Sequence, residues 1–200
     1  MPLLLSKRVN ADSSYAIWNI TETESQLLAK ISETPPISQP NKRSEWIVTR
    51  ILVHHLCKSY GITYQGVGNL ESGKPVLVGG KAEISITHSF PLAGAMIHLN
   101  RPCGIDVEWP RQKLRAVASK FLNDDEISSN NDLLALCKMW MAKEVLFKIY
   151  GEKYLSLKQE LSVQFENNWK IQGTIRKNGS GSKHTIAIEE VNNYLLAYNL

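Results

Sequence analysis

The chain has 200 residues, 43% of them hydrophobic and 21% charged, with a formal net charge of +4. Its length permits one substantial core or two small lobes, and its composition is that of a folded protein rather than a disordered one. No apolar run is long enough to span a membrane, no RNA-binding or zinc-finger pattern is present, and three scattered cysteines favour a reduced compartment. We therefore expect a cytoplasmic protein that binds neither nucleic acid nor membrane, and the small basic surplus suits an acidic ligand.

The first forty residues predict a strand, a short helix and a loop. Residues 14–20 read as a strand, and Thr21 with Glu24 forms a capping box that begins the short helix. The proline-rich segment 34–40 is a loop. A long amphipathic helix is then expected over 41–60, since its apolar positions recur at helical spacing.

The middle of the chain changes from helix to strands. Residues 62–75 form a glycine-rich connector without regular periodicity. Three strand-like segments follow at 82–89, 92–99 and 103–109, the first with strict alternation of apolar residues. A boundary near 100–102 divides the chain into an N-terminal lobe, residues 1–100, and a C-terminal lobe, residues 101–200.

The second half again combines helices with strands. A basic amphipathic helix is predicted over 111–122, and Asn123 with Glu126 resembles a further helix start. A strong helix over 131–150 ends at Gly151. Four strand-like segments complete the chain, at 161–165, 169–177, 184–191 and 194–200. Helices and strands in both halves predict an α+β fold in two lobes.

Two carboxylates stand out on the strand that contains GIDVEW. Asp106 and Glu108 share one face of the strand, while Ile105 and Val107 point to the other. Like charges held roughly 7 Å apart repel, unless a cation lies in front of them. The segment is therefore either the solvated face of an edge strand or part of a cation site.

A third carboxylate lies on the strong helix, in the segment WMAKEVLFK. Trp140, Glu144 and Lys148 share one face there, and Lys143 flanks it. Taken alone, Glu144 and Lys148 form a favourable surface pair of about 0.3–0.5 kcal/mol. Together with the two strand carboxylates, however, Glu144 completes an oxygen donor set of the kind that Mg²⁺ prefers, and Mg²⁺ usually takes further ligands from a phosphate.

Several other groups in the first half suit phosphate oxygens. Lys74 lies in a Gly-Lys-Pro turn, and His88 follows Thr87 at the end of a strand. Arg43 and Arg50 are seven residues apart on one helix face. Considered singly, each has an ordinary interpretation as a turn lysine, a polar strand end or an exposed basic stripe.

These motifs occur together in a familiar order: GKP, then THS, then GIDVE, then W-x-x-KE-x-x-x-K. In this order and at this spacing, over residues 43–148, the chain resembles the Sfp-like 4′-phosphopantetheinyl transferases. The resemblance implies a pseudo-dimeric fold of two similar α/β lobes with the site at their interface. It also implies a monomer, since one chain supplies both lobes.

The resemblance further implies a function. Members of the family transfer the 4′-phosphopantetheine arm of coenzyme A (CoA) to a serine of an apo acyl or peptidyl carrier protein, with Mg²⁺, and release adenosine 3′,5′-bisphosphate. The N-terminal lobe would bind CoA, and the C-terminal lobe would bind the metal and dock the carrier. The matching positions imply Asp106, Glu108 and Glu144 as metal ligands, Glu144 and Lys148 as catalytic residues, and Arg43, Arg50, Lys74, Thr87, His88, Lys143 and Lys148 as CoA contacts.

Three points stay open at this level. The basic helix presents Arg111, Lys113, Arg115 and Lys120, which are either part of a docking surface for an acidic carrier or a solvated helix face. Glu126 is a further candidate for assisting proton removal. Two other activities compete with transfer: a non-catalytic module that binds CoA or the carrier, and an Mg²⁺-dependent phosphoesterase that uses the same carboxylates on water.

Overall fold

The structure is a computed structural model that describes residues 2–177 and 179–200, without the side chains of residues 128–131. Its fold is mixed α+β. The chain divides into two compact units, Met1–Cys103 and Gly104–Leu200, which we call the N-terminal unit and the C-terminal unit.

The N-terminal unit consists of one four-stranded antiparallel sheet, a two-stranded hairpin and two helices. The sheet has the order β1-β2-β6-β5, and β3 pairs with β4 in the hairpin. In chain order the elements are β1 (Leu3–Arg8), β2 (Ser13–Asn19), α1 (Glu24–Leu28), α2 (Pro40–Ser59), β3 (Val67–Asn69), β4 (Pro75–Leu77), β5 (Glu83–Ser89) and β6 (Leu92–His98).

The core of the N-terminal unit lies between α2 and its sheet. Val48, Leu52 and Leu56 follow one another at four-residue spacing and form the buried stripe of α2. They belong to one apolar cluster with alternate residues of β6, among them Ala93 and Ala95. The small side chains of β6 let the helix approach the sheet closely.

The C-terminal unit consists of a five-stranded antiparallel sheet in the order β7-β11-β10-β9-β8, with helices packed on one face. In chain order its elements are β7 (Ile105–Glu108), α3 (Lys113–Phe121), a 3₁₀ helix (Asp124–Asn131), α4 (Leu133–Tyr150), β8 (Leu161–Asn167), β9 (Lys170–Lys177), β10 (Ser180–Val191) and β11 (Tyr194–Asn199).

Helix α4 is the central element of the C-terminal unit. The Asp132 side chain caps its start by accepting hydrogen bonds from backbone N–H groups of the first turn, and Gly151 ends it with φ of 73°. Its apolar residues, including Ala142 and Leu146, pack against alternate residues of the sheet strands. A fully buried side chain of the size of Leu146 contributes roughly 1.5–3 kcal/mol, so this packing fixes the helix on the sheet.

Sequence and structure differ in three places in the N-terminal unit. The capping box of α1 is formed by Thr23 and Gln26, not by Thr21 and Glu24. Strand β1 was not expected, and the connector 62–75 contains strand β3 and the first residue of β4. No helix in the described ranges is both long and apolar enough to cross a membrane.

Candidate active site

Asp106 and Glu108 project from β7 on the face of the sheet that carries α4. In the register of β7 with β11, Asp106 lies opposite Ala197 and Glu108 lies opposite Leu195. Both partners belong to the apolar core under α4. The alternation of the strand thus places both carboxylates on the helix side, where they meet charged residues of α4.

Gly104 lets the start of β7 approach α4 closely. A Cβ atom at this position would lie 2.4 Å from the backbone oxygen of Val145, closer than any side chain tolerates. The backbone N–H of Gly104 donates to Asn199 Oδ1 at 2.8 Å, which fixes it from the other side. The glycine before the two carboxylates is therefore required by the contact that brings β7 to α4.

Lys148 of α4 makes the direct connection to β7. Its Nζ donates to Asp106 Oδ1 at 2.8 Å and to the backbone oxygen of Ile105 at 2.7 Å. The Lys148 side chain is 23% exposed and that of Asp106 is 9% exposed, so solvent screens this pair only partly. Helix and strand are thereby joined by a half-buried ion pair.

Glu144 lies one turn before Lys148, and the charges of both β7 carboxylates affect its pKa. The pKa of Glu144 is raised to about 7, chiefly by burial and then by the charge of Asp106; Lys148 opposes the rise and Glu108 adds a smaller contribution to it. Burial and Asp106 also raise the pKa of Glu108, while Arg111 opposes that rise. We call Asp106, Glu108 and Glu144 the carboxylate cluster, because the charge of Asp106 raises the pKa of both glutamates.

The carboxylate cluster fits Mg²⁺ in the chemistry of its donors, since hard divalent cations prefer carboxylate oxygens. The cluster also carries repulsion that a cation would relieve. Among the described side chains, however, no three His, Cys, Asp or Glu residues stand in a group that could already hold a metal ion. Asp106 is paired with Lys148 and Glu108 with Arg111, so a metal would have to draw the three side chains together. The metal ligands stay a prediction.

Lys143, the neighbour of Glu144 in sequence, points into the interior. Its side chain is fully buried, and its Nζ donates to Glu126 Oε2 at 2.6 Å. Three backbone oxygens share its two remaining N–H donors: those of Phe121, Leu157 and Leu161, at 2.6, 2.9 and 3.1 Å from Nζ. This burial argues against the predicted contact of Lys143 with CoA and gives the residue a structural role.

Glu126 is the buried partner of Lys143. Its Oε1 accepts a hydrogen bond from the Val163 N–H at 2.8 Å, and its Oε2 accepts one from the Asn123 N–H at 2.9 Å. Asn123 Oδ1 in turn accepts from the Glu126 N–H, which is the helix start that the sequence predicts, although the helix is 3₁₀ rather than α. Both carboxylate oxygens are occupied, which argues against a role of Glu126 in proton removal. We call Lys143 and Glu126 the buried pair.

Arg43 in the N-terminal unit holds the proline-rich loop. Its guanidinium pairs with Glu24 at 2.8 Å and donates to the backbone oxygens of Pro35 and Ile37. These bonds tie α1 and the loop before α2 to the helix. Arg43 thus has a structural role, whether or not it also meets CoA.

Arg50 is stacked on the aromatic ring of Trp46, a residue outside the sequence motifs. Its Cζ lies 3.7 Å from the centre of the Trp46 ring, and its side chain donates to the Trp46 backbone oxygen and to Thr49 Oγ1. Burial lowers the pKa of Arg50. The four-residue spacing of Trp46 and Arg50 on a helix was the signal available in the sequence.

His88 and Lys42 meet at Glu45, near the start of α2. His88 Nδ1 lies 3.4 Å from Glu45 Oε2, and Lys42 Nζ lies 2.7 Å from the same oxygen. His88 is largely exposed and Thr87 beside it is buried. Lys42 was missed in the sequence because nothing in its spacing connects it with the distant β5.

Lys74 is paired within the N-terminal unit. Its Nζ lies 2.7 Å from Glu83 Oε2, and its side chain is 14% exposed. The turn lysine is therefore partly buried and held in place by its ion pair.

The basic segment around α3 presents its charges to solvent. Arg111 pairs with Glu108 at 3.1 Å, and Arg115 donates to Gln112 Oε1 at 3.0 Å. Lys113 and Lys120 are exposed. The buried face of α3 consists of Leu114, Ala118 and Phe121. Both interpretations of this segment, a docking surface and a solvated face, agree with its exposure.

Comparison with known proteins gives one result for the C-terminal unit. Residues 102–199 match the family model described as the 4′-phosphopantetheinyl transferase superfamily. The match includes the whole carboxylate cluster, Lys148 and the buried pair. None of the curated proteins matches the chain.

Proposed function

We propose that the chain, whose residues 102–199 match the 4′-phosphopantetheinyl transferase superfamily, transfers the 4′-phosphopantetheine arm of CoA to a serine of an apo acyl or peptidyl carrier protein. The second product is adenosine 3′,5′-bisphosphate. The observation that carries the proposal is the meeting of Asp106, Glu108, Glu144 and Lys148 in the matched segment, on one face of one sheet.

The transfer needs one new bond and one broken bond at phosphorus. The serine oxygen attacks the phosphorus that bears the pantetheine arm, and the bond from that phosphorus to the bridging oxygen breaks. Mg²⁺, held by Asp106, Glu108 and Glu144, would supply charge neutralisation at the diphosphate. Glu144, or a water that it orients, takes the proton of the attacking serine. Lys148 stabilises the charge that develops on the transferred phosphate.

The N-terminal unit supplies the groups for the rest of CoA. Three side chains there can donate hydrogen bonds to phosphate oxygens: His88, Lys42 beside it, and Lys74. Arg50 keeps a charged, planar group against Trp46, where it suits the 3′-phosphate and adenosine end. The arrangement of the two units around one site stays a prediction of the family resemblance.

The acceptor is an acidic carrier protein that docks on the basic segment around α3. Arg111, Lys113, Arg115 and Lys120 supply four positive charges within ten residues, and no acidic residue interrupts them. Such a surface steers an acidic partner and fixes its orientation. Arg111 also contacts Glu108, so the surface begins at the carboxylate cluster itself.

The test is modification of an apo carrier, followed by intact mass. The wild-type chain with CoA, Mg²⁺ and a small panel of apo carriers is expected to add one phosphopantetheine to at least one carrier. Asp106→Asn is expected to remove the reaction and leave the fold intact, while Glu166→Gln, an exposed carboxylate of β8, serves as the control.

Each other outcome identifies a different function. Binding of CoA without modification of any carrier would favour the non-catalytic binding module. Cleavage of CoA without an acceptor would favour the phosphoesterase. Transfer by Asp106→Asn at the wild-type rate would refute the metal assignment.

A further inference from the structure

Lys148 is held at the carboxylate cluster by two fixed acceptors. One is Asp106 Oδ1 and the other is the backbone oxygen of Ile105, both within 2.8 Å of its Nζ. A surface lysine moves among many rotamers, whereas a lysine with a backbone acceptor and a carboxylate at this distance is confined. In this structure its positive charge therefore lies beside Asp106.

Two cationic side chains, Lys148 and Arg111, already interact with the carboxylate cluster. Lys148 pairs with Asp106 and opposes the rise in the pKa of Glu144, and Arg111 pairs with Glu108. A divalent cation that binds the same oxygens meets these charges at short range. Two cations on one carboxylate repel each other, so each lowers the affinity of the other.

On the basis of the proposed function, we infer that Lys148 is the resident counter-ion that a divalent cation displaces from Asp106. Metal binding and release of the Lys148 ammonium are then one coupled event. The released ammonium becomes available to an anionic group of the substrate only when the metal is in place. Lys148 thus couples substrate binding to metal binding, because its ammonium can reach the substrate only after the metal has bound.

The test measures metal affinity without CoA and without any reaction. Free Mn²⁺ is followed by electron paramagnetic resonance, and Mg²⁺ by its competition with Mn²⁺. Lys148→Met is expected to bind Mn²⁺ about three- to tenfold more tightly than the wild type, because a repelling charge is removed from a partly buried site. Lys148→Arg keeps the charge and is expected to bind within about twofold of the wild type.

A matched control separates the local effect from net charge. Lys177→Met removes the same charge from the end of β9, where Lys177 pairs with Glu160, and it is expected to leave the Mn²⁺ affinity unchanged. Circular dichroism checks the fold of each variant, and Lys148→Gln carries the same test if Lys148→Met does not fold.

Two failures are distinguishable. If the wild type binds Mn²⁺ and modifies a carrier, but Lys148→Met and Lys148→Gln bind Mn²⁺ equally or more weakly, the inference is wrong and the proposed function stands. If the wild type binds no Mn²⁺ with or without CoA and modifies no carrier, the proposed function and the inference both fail.

Discussion

The buried pair and the carboxylate cluster lie on the same helix and handle charge in opposite ways. In the buried pair, one ammonium and one carboxylate are fully desolvated, and every remaining donor of Lys143 meets a backbone oxygen. In the carboxylate cluster, Asp106, Glu108 and Glu144 repel one another, and burial adds to the cost of their charge.

The difference indicates which region serves the fold and which serves the chemistry. The two charges of the buried pair neutralise each other without a bound ion. Through its backbone acceptors, Lys143 also links the end of α3 and the segment before β8 to α4. In the carboxylate cluster three carboxylates share two paired cations, Lys148 and Arg111, so a further cation would relieve the remaining repulsion. We therefore predict separate roles for two adjacent residues of one motif: a structural role for Lys143 and a chemical role for Glu144.

The largest expected effect is on transfer by Glu144→Gln. Loss of the carboxylate removes a metal ligand and the proposed base, so transfer is expected to fall by roughly 100- to 10000-fold. In metal-free buffer the same variant is expected to be as stable as the wild type or more stable, by about 1 kcal/mol, because one repelling charge is gone. Carrier modification and urea denaturation measure the two quantities. If Glu144→Gln kept the wild-type transfer rate but lost stability, Glu144 would serve the fold rather than the chemistry, which would contradict this account.

The next effect is on stability, in the buried pair. Lys143→Met leaves the Glu126 carboxylate buried without its cation, which is expected to cost about 3–5 kcal/mol of the free energy of unfolding. The double variant Lys143→Met, Glu126→Gln is expected to recover part of that loss, because it removes the uncompensated charge. Lys177→Met, which breaks a more exposed pair, is the control and is expected to cost much less than Lys143→Met. Equal losses in Lys143→Met and Lys177→Met would contradict the importance of the buried pair.

A smaller effect is expected at Gly104, where the sheet meets α4. Gly104→Ala forces a methyl group against the Val145 backbone oxygen, so β7 has to move away from the helix. We expect a loss of about 1–3 kcal/mol in stability and a lower transfer rate, since the carboxylates of β7 move with the strand. Gly181→Ala in β10 is the control, because its Cβ would lie 3.8 Å from the nearest atom. A Gly104→Ala chain with wild-type stability would show that the close contact is not required.

The smallest effect concerns CoA binding by the N-terminal unit. Arg50→Ala is expected to raise KM for CoA by about tenfold with a smaller change in kcat, because it removes the charge that we propose to meet the 3′-phosphate. With dephospho-CoA, which lacks that phosphate, the wild type and the variant are expected to differ little. Arg43→Ala is the comparison: it is expected to lower the melting temperature rather than raise KM, because Arg43 holds the proline-rich loop. An equal rise in KM with both substrates would count against the role of Arg50.

Much of the fold could be predicted from the sequence because it follows from local patterns. The helical spacing of Leu52 and Leu56, the alternation around Ile105 and the stop at Gly151 all appear in the structure as expected. Strand β1 was missed because its pattern does not alternate, and its pairing with β2 is not a local property.

The candidate site could be predicted only in part. Residue spacing placed Glu144 and Lys148 on one helix face, and the structure brings Lys148 to Asp106 as a strand-to-helix contact. Spacing could not show that Lys143, about 100° further round the helix, points inward. Its backbone acceptors, Phe121 at the end of α3, Leu157 just before β8 and Leu161 at the start of β8, come together around Lys143 only in the folded chain.

A crystal structure of the chain with CoA and Mg²⁺ tests the central claim most directly. The proposal predicts oxygens of Asp106, Glu108 and Glu144 around one ion on the diphosphate, with the Lys148 ammonium moved from Asp106 to a phosphate oxygen. An ion bound elsewhere, or CoA bound with the three carboxylates turned away from its diphosphate, would contradict it.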